Sequence, residues 1–100
     1  MSEPIWYVYL LQCRSGRIYT GVTPHLDARM TAHTKGRGAL FTQMDPPQRL
    51  LAAKPFQSKR ASLQVERQVK GLSAAFKQQL AARWLEEHPI DHFSQETFAV

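Results

Sequence analysis

The stretch Trp6-Tyr7-Val8-Tyr9-Leu10-Leu11, followed after a short turn by Ile18-Tyr19-Thr20-Gly21-Val22, decides how this chain reads. Both halves are rich in aromatic and β-branched residues, and Arg14-Ser15-Gly16-Arg17 between them is turn chemistry. The pair reads as a β-hairpin carrying two tyrosines, Tyr9 and Tyr19. Side chains alternate faces along a strand, so the length of the loop decides whether those tyrosines cooperate. A two-residue Ser15-Gly16 loop sets Cys13 against Ile18 and sends Tyr9 and Tyr19 to opposite faces. A three-residue Arg14-Ser15-Gly16 loop with a left-handed Gly16 sets Cys13 against Arg17. Leu11 then lies opposite Tyr19 and Tyr9 opposite Gly21, with both tyrosines on one face. The three-residue loop is predicted.

Working outward, the first strand runs from Ile5 to Cys13 and is apolar on both faces, which predicts a central strand covered from both sides. The second runs from Arg17 to Val22. Thr23 is a good N-cap and Pro24 suits a first helical position, so a helix is expected to start there. Leu26 and Met30 form its core stripe, and Arg29 and His33, four apart, stack beside that stripe. Lys35-Gly36-Arg37-Gly38-Ala39 ends the helix; its glycines and bases could hold a phosphate, although it lacks the Gly-Lys-Ser/Thr of nucleotide hydrolases.

Leu40 to Pro47 reads as irregular, and Gln48 to Phe56 as a third strand whose Pro55 marks an end or an edge. Ser58 caps a second long helix. Val65, Val69 and Leu72 form its core stripe, extended by Ala61, and Glu66 lies beside that stripe. Ser73 restarts the helix, and Phe76, Leu80, Trp84 and Leu85 make a second stripe ending at His88-Pro89. The expectation is one α+β domain over residues 1–88, ordered β-β-α-β-α-α around a small, three-stranded, mostly antiparallel sheet. A tail over 89–100 follows, from which Phe93 and Phe98 are candidates to pack back.

The composition narrows the function. One hundred residues suit one domain, and a 43% hydrophobic fraction suits one modest core. Thirteen basic against eight acidic residues leave a net charge of +5, which favours a polyanion partner. The single Cys13 excludes an internal disulfide and a cysteine-based zinc site, and it ends an apolar strand as a buried small hydrophobe would. The N-terminus has no basic cluster ahead of its apolar run, and that run is too short to cross a bilayer. A cytoplasmic protein with no membrane role is expected.

With this order and spacing in hand, the chain resembles the GIY-YIG nucleases, and among them the small stand-alone bacterial members. The resemblance covers residues 5 to about 80. Tyr7-Val8-Tyr9 matches the first motif and Tyr19-Thr20-Gly21 the second. Arg29, ten residues after Tyr19, matches the family arginine, and His33 its histidine. The stretch from Lys35 to Thr42 resembles a loop of the small members, and Glu66-Arg67-Gln68-Val69-Lys70-Gly71-Leu72 the helix of the metal-binding glutamate. Tyr7 and Thr20 depart from the motif letters. Leu40-Phe41 stands where a basic residue and a tyrosine are frequent. The chain contains no asparagine, which larger members carry after the start of the last helix; Lys77 is the nearest polar residue.

The resemblance implies hydrolysis of phosphodiester bonds in DNA. It implies that Tyr9, Tyr19, Arg29, His33 and Glu66 meet in one cleft. Glu66 would bind Mg²⁺, with Mn²⁺ as a substitute, and Arg29 would contact the scissile phosphate. Tyr9 would act as general base with His33 taking its proton, and Tyr19 would orient the water or the phosphate; the base could also be Tyr19. Lys35, Arg37, Thr42, Lys70 and Lys77 are the expected nucleic-acid contacts, and Phe41 and Trp6 the candidates for stacking an unpaired base. A domain this small has little surface for reading bases, so cutting directed by strand structure is expected. The alternative is a nucleic-acid-binding module with this fold and no significant cleavage.

Overall fold

The computed structural model describes residues 4–36 and 43–90. The expected contacts Arg37 and Thr42, the stacking candidate Phe41, and Phe93 and Phe98 lie outside the described residues. Strands β1 (Trp6–Cys13), β2 (Ile18–Thr23) and β3 (Pro47–Phe56) form one antiparallel sheet in the order β2-β1-β3. Helix α1 (Leu26–Thr34) follows β2, and α2 (Lys59–Lys70) and α3 (Ala74–Glu87) follow β3. The fold is α+β, in the predicted order, with β1 central.

The hairpin takes the three-residue loop. Gly16 has φ 93°, its N–H donates to the Cys13 carbonyl, and the Cys13 N–H donates to the Arg17 carbonyl. The register places Leu11 opposite Tyr19 and Tyr9 opposite Gly21. A left-handed third loop residue supplies the twist the strands need, and glycine adopts it without a Cβ clash.

Alternation along β1 then sorts the core into two layers. Val8 and Leu10 join Ile18, Leu51, Ala52, Val69 of α2, and Ala81 and Trp84 of α3. Tyr9 and Leu11 join Leu50, Ala53 and Met30 of α1, with Tyr7, Tyr19, Leu26 and Ile90 packed at the margin. One face of the sheet therefore carries α1 and the other carries α2 and α3. A bulge in β3 sits between the pairs Leu10–Ala52 and Leu11–Leu50, leaving Leu51 unpaired, so Leu51 and Ala52 both serve the α2–α3 face. Ile90, beyond the expected boundary at 88, packs against the α1-side core.

Several local expectations are corrected. Helix α1 starts at Leu26 rather than at Thr23-Pro24. Thr23 is paired with Tyr7 at the end of β2, and its Oγ1 accepts from the His25 N–H in a tight side-chain turn. His25 is the N-cap and makes no side-chain cap bond. The sheet has taken the residue that would otherwise have capped the helix. Gly36, with φ 73°, ends α1 as expected. Ser58 and Ser73 do cap α2 and α3, accepting from Ala61 and Phe76 N–H. Pro55 sits inside β3 opposite Tyr7, tolerated because β3 is an edge strand. Leu72 and Phe76, expected in core stripes, are 38% and 59% exposed. Buried Ala81 and Trp84 set the inward direction of α3, and Phe76 falls off that line.

Candidate active site

Gly21 is the residue that lets the site form. It lies across from Tyr9, and a Cβ there would overlap the Tyr9 hydroxyl and ring and press on Tyr19. Without that Cβ, the Tyr9 ring lies over β2 toward Tyr19. The Tyr9 and Tyr19 rings are 6.2 Å apart and tilted by 45°. The His33 ring meets both edge-on, at 5.8 Å from Tyr9 and 5.7 Å from Tyr19. His33 reaches them because it lies one turn beyond Arg29 and next to the Met30 line by which α1 sits on the sheet. The Tyr9 hydroxyl and His33 Nε2 are 3.0 Å apart, in a buried hydrogen bond.

Burial sets the protonation states. His33 is 2% exposed, and loss of hydration, helped by the Arg29 charge, lowers its pKa to about 4. The imidazole is therefore neutral near pH 7, with its Nε2 in hydrogen-bond contact with the Tyr9 hydroxyl. Tyr9 is 1% exposed, and burial pushes its phenol up to about 12 against the opposing pull of Arg29. Full proton transfer from Tyr9 to His33 in the free site is thus strongly uphill. Arg29 lies within hydrogen-bonding and charge reach of both tyrosines. Arg29 and Tyr19 are only half-buried, so these two form the part of the cluster that a substrate meets first.

The structure thus gathers Tyr9, Tyr19, Arg29 and His33. Glu66 is on α2, whose Val65 and Val69 pack against Val8 and Leu10, and its side chain is 18% exposed. It pairs with Lys70 at 3.6 Å. Lys35 is exposed at the end of α1, Lys70 is exposed beside Glu66, and Lys77 is half-buried next to Phe76. Trp6 is half-buried beneath the Lys59 ammonium, 5.3 Å from its ring centre. Cys13 is buried and its thiol is pushed up to about 11 by that burial, so it is inert. The role of Gly21 was not drawn from the sequence, although the predicted register already set it across from Tyr9.

The donor chemistry fits one hard divalent cation held loosely. Among the described residues no three His, Cys, Asp or Glu side chains gather as a metal cage. Glu66 offers one carboxylate, and its Lys70 partner stands beyond direct hydrogen-bond distance. One carboxylate with the remaining positions left to water and substrate oxygens is an ordinary arrangement for Mg²⁺. Among the described residues no helix is long and apolar enough to cross a membrane.

Fold and cluster together define a class: a small α+β catalytic domain whose site is built by a strand hairpin and the helix that follows it. The profile of the GIY-YIG catalytic domain matches residues 5–81, and the chain belongs to that nuclease family. A UPF0213 protein of Xanthomonas axonopodis pv. citri is 37% identical over 84 residues, 84% of this chain and 78% of the relative. A UPF0213 protein of Halalkalibacterium halodurans is 42% identical over 76 residues, 76% of this chain and 81% of the relative. The solution NMR structure of the UPF0213 protein BH0048 from Bacillus halodurans superposes with a TM-score of 0.51 at 40% identity. That match covers 85% of this chain and 88% of that one. The solution NMR structure of protein EF2693 from E. faecalis gives 0.58 at 27% identity, over 92% and 99%.

Proposed function

We propose that this protein is a metal-dependent endonuclease that hydrolyses phosphodiester bonds in DNA, directed by strand structure rather than sequence, with a role in DNA repair or processing. The observation that carries the reading is the buried Tyr9–His33 hydrogen bond with Tyr19 and Arg29 beside it, on the scaffold of a nuclease family. A buried phenol pinned to a neutral imidazole costs stability if it has no task, and such pairs are typical of proton-handling sites.

Arg29 keeps its charge at all working pH values and presents a planar fork to a phosphate. With Nε2 of His33 as acceptor, Tyr9 would direct its proton to His33, and its oxygen, within reach of Arg29 and Tyr19, would accept a proton from water. Loss of the Tyr9 proton to His33 as water attacks would make the pair one general base. A phosphate on Arg29 neutralises the charge that helps hold His33 low, and so makes His33 the better acceptor. Tyr19 orients the water or the phosphate from the exposed side. Glu66 would hold Mg²⁺ or Mn²⁺, which supplies charge neutralisation at the phosphate and at the leaving oxygen. Lys35, Lys70 and Lys77 would contact the strand, and with Arg37 and Thr42 imply roughly four to six phosphate contacts and a salt slope of roughly −3 to −5.

The Glu66–Lys70 pair favours a second reading, a binding module without useful cleavage. Labelled single-stranded, duplex and branched DNA should be incubated with Mg²⁺ and with chelator, using wild type, Tyr9→Phe, Arg29→Ala and Glu66→Ala. Cutting that needs the metal and all three side chains supports the nuclease reading. Binding without cutting, with either Mg²⁺ or Mn²⁺, moves the assignment to the module.

A further inference from the structure

The exposed face at the start of α3 has no part in the chemistry above. Helix α3 packs on the sheet through Ala81 and Trp84. Phe76 stands on a neighbouring line and is 59% exposed, an unusual position for a large aromatic ring in a domain with a modest core. With Leu72, Gln79, Leu80 and Arg83 it lines an open groove of about 220 Å³. Leu72, 38% exposed, is the second apolar wall.

The surroundings indicate what the groove takes. From Arg67 to Arg83 the chain carries four basic residues, Arg67, Lys70, Lys77 and Arg83, and no acid. A flat apolar ring with a guanidinium and an amide in the same groove is an arrangement that accepts a nucleobase and its phosphate. Lys70, the ion-pair partner of Glu66, precedes Leu72 of the groove wall by two residues in the chain.

We propose that this groove binds one unpaired nucleotide of the DNA strand near the cut, its base stacked on Phe76 and its phosphate held by Arg83 with Lys70 or Lys77. This rests on the nuclease reading for the DNA partner, and on Glu66 as the metal residue for the position next to the cut. A paired base cannot enter such a groove without leaving its stack, so the groove is a device for preferring single-stranded or branched DNA. Phe76 takes the stacking role that the sequence suggested for Phe41 and Trp6.

The test is binding in chelator, where no cleavage occurs. A fluorescein-labelled oligodeoxythymidylate and a labelled duplex are titrated by anisotropy against wild type, Phe76→Ala, Phe76→Trp, Arg83→Gln and Glu66→Ala. Phe76→Ala is expected to weaken single-strand binding about 5–150-fold, the range for one stacked base, with duplex binding changed less than about twofold. Phe76→Trp should restore it, and Arg83→Gln should reduce the salt slope by about one. A 2-aminopurine placed in the single strand should lose fluorescence on wild type and keep it on Phe76→Ala. Single-strand binding that ignores Phe76 overturns the proposal. So does sedimentation showing a wild-type dimer that Phe76→Ala dissolves, or Phe76-dependent capture by anionic vesicles without Phe76-dependent DNA binding. The nuclease reading fails separately: Phe76-dependent binding with no cleavage under any metal removes the catalysis and leaves the groove.

Discussion

The two faces of the sheet grow from the same strand and are unlike in kind. On the α2–α3 face, Val8 and Leu10 meet aliphatic residues, Ala81 and Trp84, and the packing asks only for volume. On the α1 face, Tyr9 is as deeply buried as Leu10 yet carries a hydroxyl bonded to His33. That second face buries titratable groups and holds them in protonation states away from their ordinary ones. One face contributes stability, and the other gives some of it up to hold a reactive cluster in place.

Adjacent residues of β1 offer the strongest way to break this contrast. Tyr9→Phe should lower DNA cleavage by about 10²–10⁴-fold, the range for a positioned acid–base group. Its stability cost should be about 1–2 kcal/mol, from the lost buried hydrogen bond to His33. Leu10→Ala should cost about 2–5 kcal/mol while each folded molecule keeps its activity. Urea titration beside cleavage rates, corrected for folded fraction, separates the two; a similar profile for both variants would erase the distinction.

Next in size is pH. His33 titrates lower in the folded chain than in the unfolded one, so the unfolded state takes up the proton first as pH falls. Its contribution is complete above about pH 6.5 and declines toward pH 4, by about 3 kcal/mol in all. Tyr9 is the mirror case: its folded pKa is raised to about 12, so the unfolded chain ionises first as pH rises. That stability is complete below about pH 10 and is lost between there and 12, again by about 3 kcal/mol. Denaturation curves across pH should lose the acid limb in His33→Gln and the alkaline limb in Tyr9→Phe. Limbs that persist in both variants would place the buried titration elsewhere.

Gly21→Ala should come third, at about 1–3 kcal/mol, because the new methyl overlaps the Tyr9 hydroxyl and crowds Tyr19. The double variant with Tyr9→Leu should regain part of that stability and none of the activity, checked by thermal unfolding and a cleavage assay. The smallest effect belongs to the opposite face. Lys70→Ala removes an i,i+4 ion pair with a half-exposed lysine and should change stability by no more than about 0.5 kcal/mol. A larger loss in a calorimetric scan would mean that Glu66 depends on Lys70 more than their 3.6 Å separation suggests.

What could be read without coordinates was governed by local rules. The hairpin register follows from loop chemistry and parity: Gly16 accepts a left-handed turn, and three loop residues place Tyr9 and Tyr19 on one face. Arg29 and His33 share a face because they are four apart on a helix. Ser58 and Ser73 cap because their hydroxyls find N–H groups three residues on. Where two local rules competed for one residue, the outcome was not legible. Thr23 could cap a helix or end a strand, and pairing with Tyr7 decided for the strand.

The chain's own order therefore determined the element sequence and the central strand, since these depend on neighbours at fixed offsets; the meeting of Tyr9, Tyr19, Arg29 and His33 was implied by the family resemblance and made by the packing of α1 on the sheet. Only the tertiary structure decided which side chains lose their water. Burial by distant elements made His33 neutral and Tyr9 reluctant to ionise, and the packing of α3 left Phe76 exposed on an apolar-looking helix. Solvation is a property of everything packed around a group, and no local spacing carries it.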